Sequence, residues 1–200
     1  MNGIILAGGL SSRMGQDKAS LPWGDSDLLH AVLERLAPVC RKLIVVSNTV
    51  RDIRLPDVTV VADHYTLCGP LGGMHAGLTA SDADYNFIAA CDMPYLNTHV
   101  VAFIREAAEH YDAAVPYIDG HYNPLHAVYR QTCLPYIDQM LQDSNYRILN
   151  FYSQIKMRHI TVEELVQFDP DLMTLSNANT PDDYRELKTR RGGVAATGGK

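Results

Sequence analysis

Residues 2–18, NGIILAGGLSSRMGQDK, combine a short apolar run with a glycine-rich loop that carries two basic residues. The run Asn2–Ala7 is typical of a buried β-strand, because it is short, continuous and followed by glycine. The pair Gly8-Gly9 lets the backbone approach a ligand and turn its N–H groups toward a phosphate. Arg13 and Lys18 add two cations, which suit an anionic polyphosphate. This stretch predicts a strand followed by a triphosphate-binding loop.

The loop fits neither of the two common phosphate-binding motifs. A P-loop requires a Gly-Lys-Ser/Thr triplet at a fixed distance, and none follows here. The dinucleotide fingerprint requires G-x-G-x-x-G, whereas this chain has Gly8-Gly9 and then Gly15. The loop therefore binds phosphate by another scheme or is a surface turn, and composition alone leaves both interpretations open.

Short apolar strands alternate with amphipathic helices through the first half of the chain. Further strands are predicted at Lys42–Ser47, Asp57–Ala62 and Tyr85–Cys91, and helices at Leu28–Leu36, Leu71–Ala80 and Asn97–His110. Near-continuous apolar strands separated by helices indicate a parallel sheet covered on both faces. The fold class is therefore α/β.

The second half is less regular in its hydrophobic pattern. Its predicted strands are Ala113–Val115 and Leu125–Tyr129, and its predicted helices are Gln131–Leu141, Asn145–Tyr152 and one that starts at Pro181. Since no linker divides the chain, residues 1–189 are expected to form one domain. Residues 190–200, RRGGVAATGGK, have little apolar surface to bury and are expected to be a disordered tail.

Polar residues follow four of the predicted strands: Gly8-Gly9, Ser47-Asn48, Asp63 and Asp92. In open α/β sheets, ligands bind beyond the carboxyl ends of the strands. Asp92 is a candidate ligand for Mg²⁺, which takes one or two protein carboxylates together with water and phosphate oxygens. Asp63 is a candidate second carboxylate or a ribose or base contact. Each residue alone is also compatible with ordinary turn chemistry, but four together favour a ligand site.

Composition excludes several classes of protein. The formal net charge of −6 argues against broad nucleic-acid binding, which needs a basic surface. The run Gly3–Leu6 is too short for a signal peptide or a membrane span, and the four cysteines form no CxxC pair. We therefore expect a cytoplasmic protein that binds neither membrane nor nucleic acid.

Six segments resemble the MobA-like nucleotidyltransferases, in particular their molybdenum cofactor guanylyltransferase branch. They are LAGGLSSRMGQDKASL at Leu6–Leu21, VVAD ending at Asp63, GPLGGM at Gly69–Met74, ACDMPY at Ala90–Tyr95, NPLHAVY at Asn123–Tyr129 and NANTPDDY at Asn177–Tyr184. The resemblance covers nearly the whole chain apart from the tail. It implies a Rossmann-like three-layer sandwich and the transfer of GMP from GTP to the phosphate of molybdopterin, with release of pyrophosphate.

The resemblance also implies roles for individual residues. The GTP contacts would be Leu6, Ala7, Gly8, Gly9, Lys18, Asn48, Asp63 and Asp92, with Asp92 also on Mg²⁺, and the catalytic groups would be Arg13, Lys18 and Asp92. The acceptor contacts would be Asn123, Pro124, Asn177 and Asn179. One departure concerns the acceptor side, because the family usually has His-Pro where this chain has Asn123-Pro124. Molybdoenzyme-specific chaperones or other cofactor-biosynthesis proteins are the expected protein partners.

Two alternatives stay open at the level of the sequence. The first is a cytidylyltransferase of the same superfamily that acts on the molybdenum cofactor or on a sugar or alditol phosphate, because the first loop handles phosphates and does not select the base. The second is a non-catalytic nucleotide sensor that uses the same pocket for binding alone.

Overall fold

The structure, a computed structural model, describes residues 1–8, 17–65 and 67–197, with the backbone alone for 192–197. Within these residues the chain forms one sheet of eight strands and a separate two-stranded hairpin. The strands are β1 (Asn2–Leu6), β2 (Pro22–Trp23), β3 (Ser26–Asp27), β4 (Leu43–Val46), β5 (Val58–Val61), β6 (Tyr85–Ala90), β7 (Ala113–Ile118), β8 (His121–Tyr122), β9 (His126–Arg130) and β10 (Met157–Ile160).

Helices cover both faces of the large sheet. They are α1 (Leu28–Leu36), α2 (Pro70–Ala80), α3 (Thr98–Ala107), α4 (Leu134–Gln142), α5 (Val162–Leu165) and α6 (Pro181–Thr197), and 3₁₀ turns lie at Lys18–Ser20, Gln131–Cys133, Ile148–Gln154 and Met173–Leu175. Helices α1, α3 and α5 pack on one face, and α2 and α4 pack on the other. The predicted three-layer α/β fold is confirmed.

The strand order explains how one edge of the sheet collects polar groups. The order is β10-β7-β9-β6-β1-β4-β5, with β8 paired to β7. Strands β6, β1, β4 and β5 are mutually parallel, and β9 runs antiparallel to both β6 and β7. Strands β6 and β7 therefore point the same way. The carboxyl ends of β1, β4, β5, β6 and β7 all lie at one edge, which we call the active edge.

Alternation along β1 divides the core between the two faces. Ile5 packs in the cluster that contains α1 and α3, whereas Ile4 and Leu6 pack in the cluster that contains α2 and α4. Such burial on both faces explains why positions 4–6 of the strand are all apolar, since successive side chains point to opposite faces.

A third, smaller cluster holds the last helix in place. Trp23 of the hairpin packs edge-on against Tyr95 with 5.6 Å between ring centroids, and the Tyr95 hydroxyl donates to the carbonyl of Leu187 at 2.8 Å. Helix α6 continues past Arg190 to Thr197. The backbone of 190–197 is thus helical, which differs from the disordered tail expected there. The sequence pattern could not show that Arg191 lies over the Trp23 ring at 5.5 Å.

The second half differs from expectation in two further places. The segment predicted as a helix at Asn145–Tyr152 forms a 3₁₀ turn at Ile148–Gln154 instead. Strand β10 was not predicted, because it is a sheet-edge strand that contains Arg158 and His159 and lacks an apolar run. In the ranges described, no helix is both long and apolar enough to cross a membrane.

Candidate active site

Backbone hydrogen bonds continue past the strand ends and fix the residues that follow them. The amide of Ala7 donates to the carbonyl of Val46 at 2.9 Å, and the amide of Ser47 donates to the carbonyl of Val61 at 2.9 Å. The amide of Cys91 donates to the carbonyl of Leu6 at 3.2 Å. The residues after β1, β4 and β6 are therefore held side by side at the active edge.

Lys18 joins three segments that are far apart in the sequence. Its Nζ lies 2.7 Å from Asp92 Oδ2 and donates to Asn179 Oδ1 at 2.9 Å. Asp17 caps the 3₁₀ turn that carries Lys18 by accepting from the amide of Ala19 at 3.2 Å. On the other side, the amide of Ala178 donates to the carbonyl of Asp92 at 2.9 Å. The end of the first loop, the end of β6 and the segment 177–179 thus meet at one ion pair.

Asp92 is a buried carboxylate whose two oxygens differ in their hydrogen bonding. Its side chain is only 6% exposed, Oδ2 accepts from Lys18, and Oδ1 has no hydrogen-bond partner among the residues that the structure describes. A buried carboxylate oxygen without a partner is unfavourable unless a ligand satisfies it. Asp92 is not the cap of the next helix, because Asn97 caps α3 by accepting from the amide of His99 at 2.9 Å.

The donor set at this point fits a hard divalent cation. Among the described residues no group of three His, Cys, Asp or Glu side chains is placed to enclose a metal. A cation at Asp92 Oδ1 would therefore take one protein carboxylate and complete its coordination with phosphate oxygens and water, which is the mode that Mg²⁺ prefers.

Arg51 connects both ends of the glycine-rich loop, and the sequence analysis did not identify it. Its guanidinium donates to the carbonyl of Ala7 at 2.8 Å and to Ser20 Oγ at 3.2 Å, and it pairs with the carboxylate of Asp17. It also donates to Ser47 Oγ at 3.0 Å. Partial burial raises the pKa of Asp17, but the hydrogen bond and charge of Arg51 outweigh it, and the net pKa is lowered. A single arginine three residues after Asn48 carries no pattern that would have revealed this.

Asn48 and Asp63 form a reciprocal pair beyond the ends of β4 and β5. The amide of Asp63 donates to Asn48 Oδ1 at 2.8 Å, and Asn48 Nδ2 donates to the carbonyl of Asp63 at 3.2 Å. The carboxylate of Asp63 accepts from the amide of Tyr65 at 2.9 Å. Partial burial raises the pKa of Asp63. A Cβ on Gly72 would lie 2.9 Å from its Oδ1, so the second glycine-rich segment passes directly against this carboxylate.

The predicted acceptor residues divide into two groups. Asn179 accepts from Lys18 of the ion pair, and the nearby Asn177 has a buried Oδ1 that finds no partner in the ranges described. Asn123 and Pro124 lie in the turn before β9, at the active edge, where the amide of Asn123 donates to the carbonyl of Pro116 at 2.9 Å. Neither Asn123 nor Pro124 takes part in the hydrogen bonds that join Lys18, Asp92 and Asn179.

Two predicted site residues, Gly9 and Arg13, lie outside the described residues. Leu6, Ala7 and Gly8 are described. Leu6 packs so closely on α2 that a Cβ on Gly73 would lie 3.2 Å from one of its methyl groups. The expected contacts of Gly9 and Arg13 with the triphosphate therefore stay predictions.

A cavity of about 380 Å³ lies beside Arg51, between the β2–β3 hairpin and residues 50–54. Its described lining includes Asp27, His30 and Asp52 but neither Lys18 nor Asp92. This cavity is therefore distinct from the Lys18–Asp92 ion pair.

Comparison with known proteins identifies the family of this chain. A family model described as the MobA-like NTP transferase domain matches residues 3–157. A probable molybdenum cofactor guanylyltransferase of Carboxydothermus hydrogenoformans is 35% identical over 92% of this chain and 92% of its own length. A molybdenum cofactor guanylyltransferase of Desulfosudis oleivorans is 34% identical over 94% of each chain.

Among solved structures, the molybdopterin-guanine dinucleotide biosynthesis protein A of Archaeoglobus fulgidus superposes with a TM-score of 0.82. It is 25% identical, and the match covers 96% of this chain and 100% of that one. A cytidylyltransferase of Thermus thermophilus, acting on 2-C-methyl-D-erythritol 4-phosphate, shares the fold at 14% identity with a TM-score of 0.64. From the family model and the relatives that match almost end to end, the chain belongs to the MobA-like NTP transferase family, and it is a nucleotidyltransferase.

Proposed function

We propose that this enzyme transfers GMP from GTP to the terminal phosphate of molybdopterin, with or without bound molybdenum, and releases pyrophosphate. The observation that carries the proposal is the convergence of Lys18, Asp92 and Asn179 within hydrogen-bond distance at the active edge. These residues supply a cation, a carboxylate and an amide at one point. Such groups suit the place where the phosphates of a nucleotide and of an anionic acceptor meet.

On the nucleotide side, we assign the triphosphate to the backbone of Leu6, Ala7 and Gly8 and to the ammonium of Lys18. Backbone N–H groups in a glycine-rich loop and a flexible lysine both favour phosphate oxygens. We assign the ribose or base to Asn48 and Asp63, which follow β4 and β5, one and two strands from β1 along the same edge. Gly9 and Arg13 complete this set as predictions.

Asp92 is the residue that would hold Mg²⁺, through Oδ1, which has no partner in the described part of the chain. When bound, the ion would neutralise charge on the phosphate oxygens around the reacting phosphorus. The ammonium of Lys18 lies 2.7 Å from the other oxygen of Asp92. It is therefore placed to contact the triphosphate beside the ion.

On the acceptor side, we assign the phosphate of molybdopterin to the region between Asn179 and Asn123-Pro124. One oxygen of that phosphate attacks the α-phosphorus of GTP, a new P–O bond forms, and the bond to the β-phosphate oxygen breaks. Since a phosphate monoester is largely dianionic near pH 7, the attacking oxygen needs no general base. Catalysis then rests on in-line positioning and charge stabilisation, for which the ion pair supplies the protein groups.

The proposal is tested by a transfer assay with purified molybdopterin, Mg²⁺ and GTP, CTP or ATP in parallel. We expect pyrophosphate release and a guanine dinucleotide product with GTP, and much slower transfer with the other two nucleotides. A preference for CTP would make the protein a cytidylyltransferase. Binding of GTP without pyrophosphate release would make it a nucleotide sensor.

The role of Asp92 is tested by Asp92→Asn, which keeps the shape of the side chain and removes its charge. We expect transfer to fall by at least a hundredfold, because a charge at the reacting phosphate is lost, while thermal stability is kept. Asp82→Asn is the matched control, since Asp82 precedes β6 and lies at the opposite edge of the sheet. Near-normal turnover of Asp92→Asn with Mg²⁺ would refute the metal assignment.

A further inference from the structure

Four aromatic side chains form a cluster at the carboxyl end of β7, which we call the aromatic platform: Tyr117, Tyr122, Tyr152 and His159. The ring centroids of Tyr117 and Tyr122 are 4.7 Å apart, and those of Tyr122 and His159 are 5.4 Å apart. Tyr152 packs edge-on beneath Tyr122 at 5.3 Å. These contacts give each ring a fixed orientation.

A tight hairpin sets the geometry of the platform. Tyr117 of β7 and Tyr122 of β8 are direct cross-strand partners, and the turn between them is made by Asp119 and Gly120, both with positive φ. Two positive φ values in a two-residue turn match the twist of the strands and fix the register of the pair. The sequence carries the matching hairpin signal, an Asp-Gly pair between Ile118 and His121.

The platform lies at the active edge, next to the predicted acceptor residues. Tyr122 immediately precedes Asn123, and β7 lies two strands from β6, which ends just before Asp92. At about 4.8 Å per strand, Tyr117 is therefore roughly 10 Å across the sheet from the end of β6. This separation suits a ligand with its phosphate at Asp92 and its ring system toward β7.

A buried chain of hydrogen bonds connects the platform to the acceptor turn. The hydroxyls of Tyr152 and Tyr129 are 2.6 Å apart, and the Tyr129 hydroxyl donates to the carbonyl of Pro124 at 3.0 Å. Both tyrosines are buried. The Asn123-Pro124 turn is thus connected by hydrogen bonds to the base of the platform.

The upper surface of the platform is open to solvent. Tyr117 is 41% exposed, and His159 is also exposed. Exposed tyrosine rings that are already rigid bind flat ligands with little loss of side-chain entropy. All four members carry flat aromatic rings, so a planar ring is the ligand that the cluster fits.

We propose that the aromatic platform binds the flat heteroaromatic ring of the acceptor, by stacking on the exposed face of Tyr117. This inference rests on the proposed function, since it takes the acceptor to be a phosphorylated pterin. It assigns the acceptor ring to β7, β8 and β10 and leaves the nucleotide to β1, β4 and β5. The two substrates would then approach Asp92 from opposite sides of the sheet centre.

The test compares Tyr117→Leu, which removes the ring, with Tyr117→Phe, which keeps it. Since stacking of a base on an aromatic side chain changes affinity by about five- to a hundredfold, we expect Tyr117→Leu to raise the Kd for molybdopterin by at least fivefold. Tyr117→Phe should bind molybdopterin within twofold of the wild type. The Kd for GTP should stay unchanged in both variants.

Tyr146→Leu is the matched control, because Tyr146 is equally exposed, at 41%, but lies outside the platform. It should leave both affinities unchanged. If wild-type protein transfers GMP and Tyr117→Leu binds molybdopterin as tightly as wild type, the platform is not the ring site and the proposed function stands. If Tyr117→Leu weakens GTP as much as molybdopterin, its role is structural and the inference fails. If the wild type neither binds molybdopterin nor transfers GMP, the proposed function itself fails.

Discussion

At the scale of single residues, Arg51 determines how the glycine-rich loop is attached to the sheet. It is 7% exposed and contacts Ala7 before the loop and Asp17 and Ser20 after it. Its contacts fix the relative positions of Ala7, Asp17 and Ser20, the described residues that flank the glycine-rich segment. Arg51 therefore acts on GTP binding through the loop, as a positioning residue.

Arg51→Met is expected to weaken GTP binding by tenfold or more, because it removes several hydrogen bonds that involve charged groups. Arg54→Met is the control, since Arg54 is 81% exposed and pairs only with the exposed Asp52 among the interactions described for it. Calorimetry with GTP and Mg²⁺ measures the effect, and the melting temperature of each variant without ligand shows whether the fold is kept. Equal GTP affinities in the two variants would contradict this role for Arg51.

At the scale of elements, helix α2 approaches the sheet unusually closely at one position. A Cβ on Gly77 would lie 2.3 Å from Cγ2 of Ile4 and 3.3 Å from a methyl group of Val46. Both neighbours are β-branched and fully packed in the core, so neither can move aside easily. The absence of a side chain at Gly77 is what lets α2 lie flat against β1 and β4.

Gly77→Ala is therefore expected to destabilise the protein, although alanine is the better helix former. Overpacking a core position costs about 1–3 kcal/mol, which exceeds the roughly 1 kcal/mol that alanine gains in helix propensity. Thr79→Ala on the exposed side of the same helix should keep or slightly raise the free energy of unfolding. Denaturant titration distinguishes the two variants, and a Gly77→Ala protein as stable as wild type would disprove the packing argument.

At the scale of the whole molecule, the sequence predicts the parallel half of the sheet better than the rest. Strands β1, β4 and β6 were predictable because they are buried on both faces and read as continuous apolar runs. Strand β10 was not predictable, because an edge strand does not need a continuous apolar run. Its pairing with β7 depends on a contact that is distant in the sequence.

Some features of the site can be predicted from short sequence motifs, whereas others depend on contacts between residues far apart in the sequence. The glycine pair and the aspartates at strand ends have local signals, and parallel topology brings them to one edge. The contact of Lys18 with Asp92 spans 74 residues and the contact with Asn179 spans 161, so neither follows from spacing. The resemblance to a family supplied these residues as a set, and the structure supplied their arrangement.

A buried histidine at the start of β9, directly after the Asn123-Pro124 turn, affects the stability of the molecule as a whole. His126 is fully buried, its Nε2 lies 3.3 Å from Thr174 Oγ1, and its Nδ1 has no hydrogen-bond partner within the described residues. Its ring stands edge-on to Phe87 at 5.2 Å. Burial lowers the pKa of His126 from 6.5 to about 3, because the charged imidazolium cannot be solvated there.

This pKa shift makes the free energy of unfolding fall as the pH is lowered from 7 to 5. In that window the unfolded chain binds a proton at His126 that the folded chain does not, so acid favours unfolding by about 2 kcal/mol. His126→Gln, which keeps a hydrogen-bonding group toward Thr174, should remove that part of the slope. His121→Gln, at an exposed position, should keep it. Urea unfolding at pH 5, 6 and 7 measures the slope, and an unchanged slope in His126→Gln would show that His126 is protonated in the folded protein.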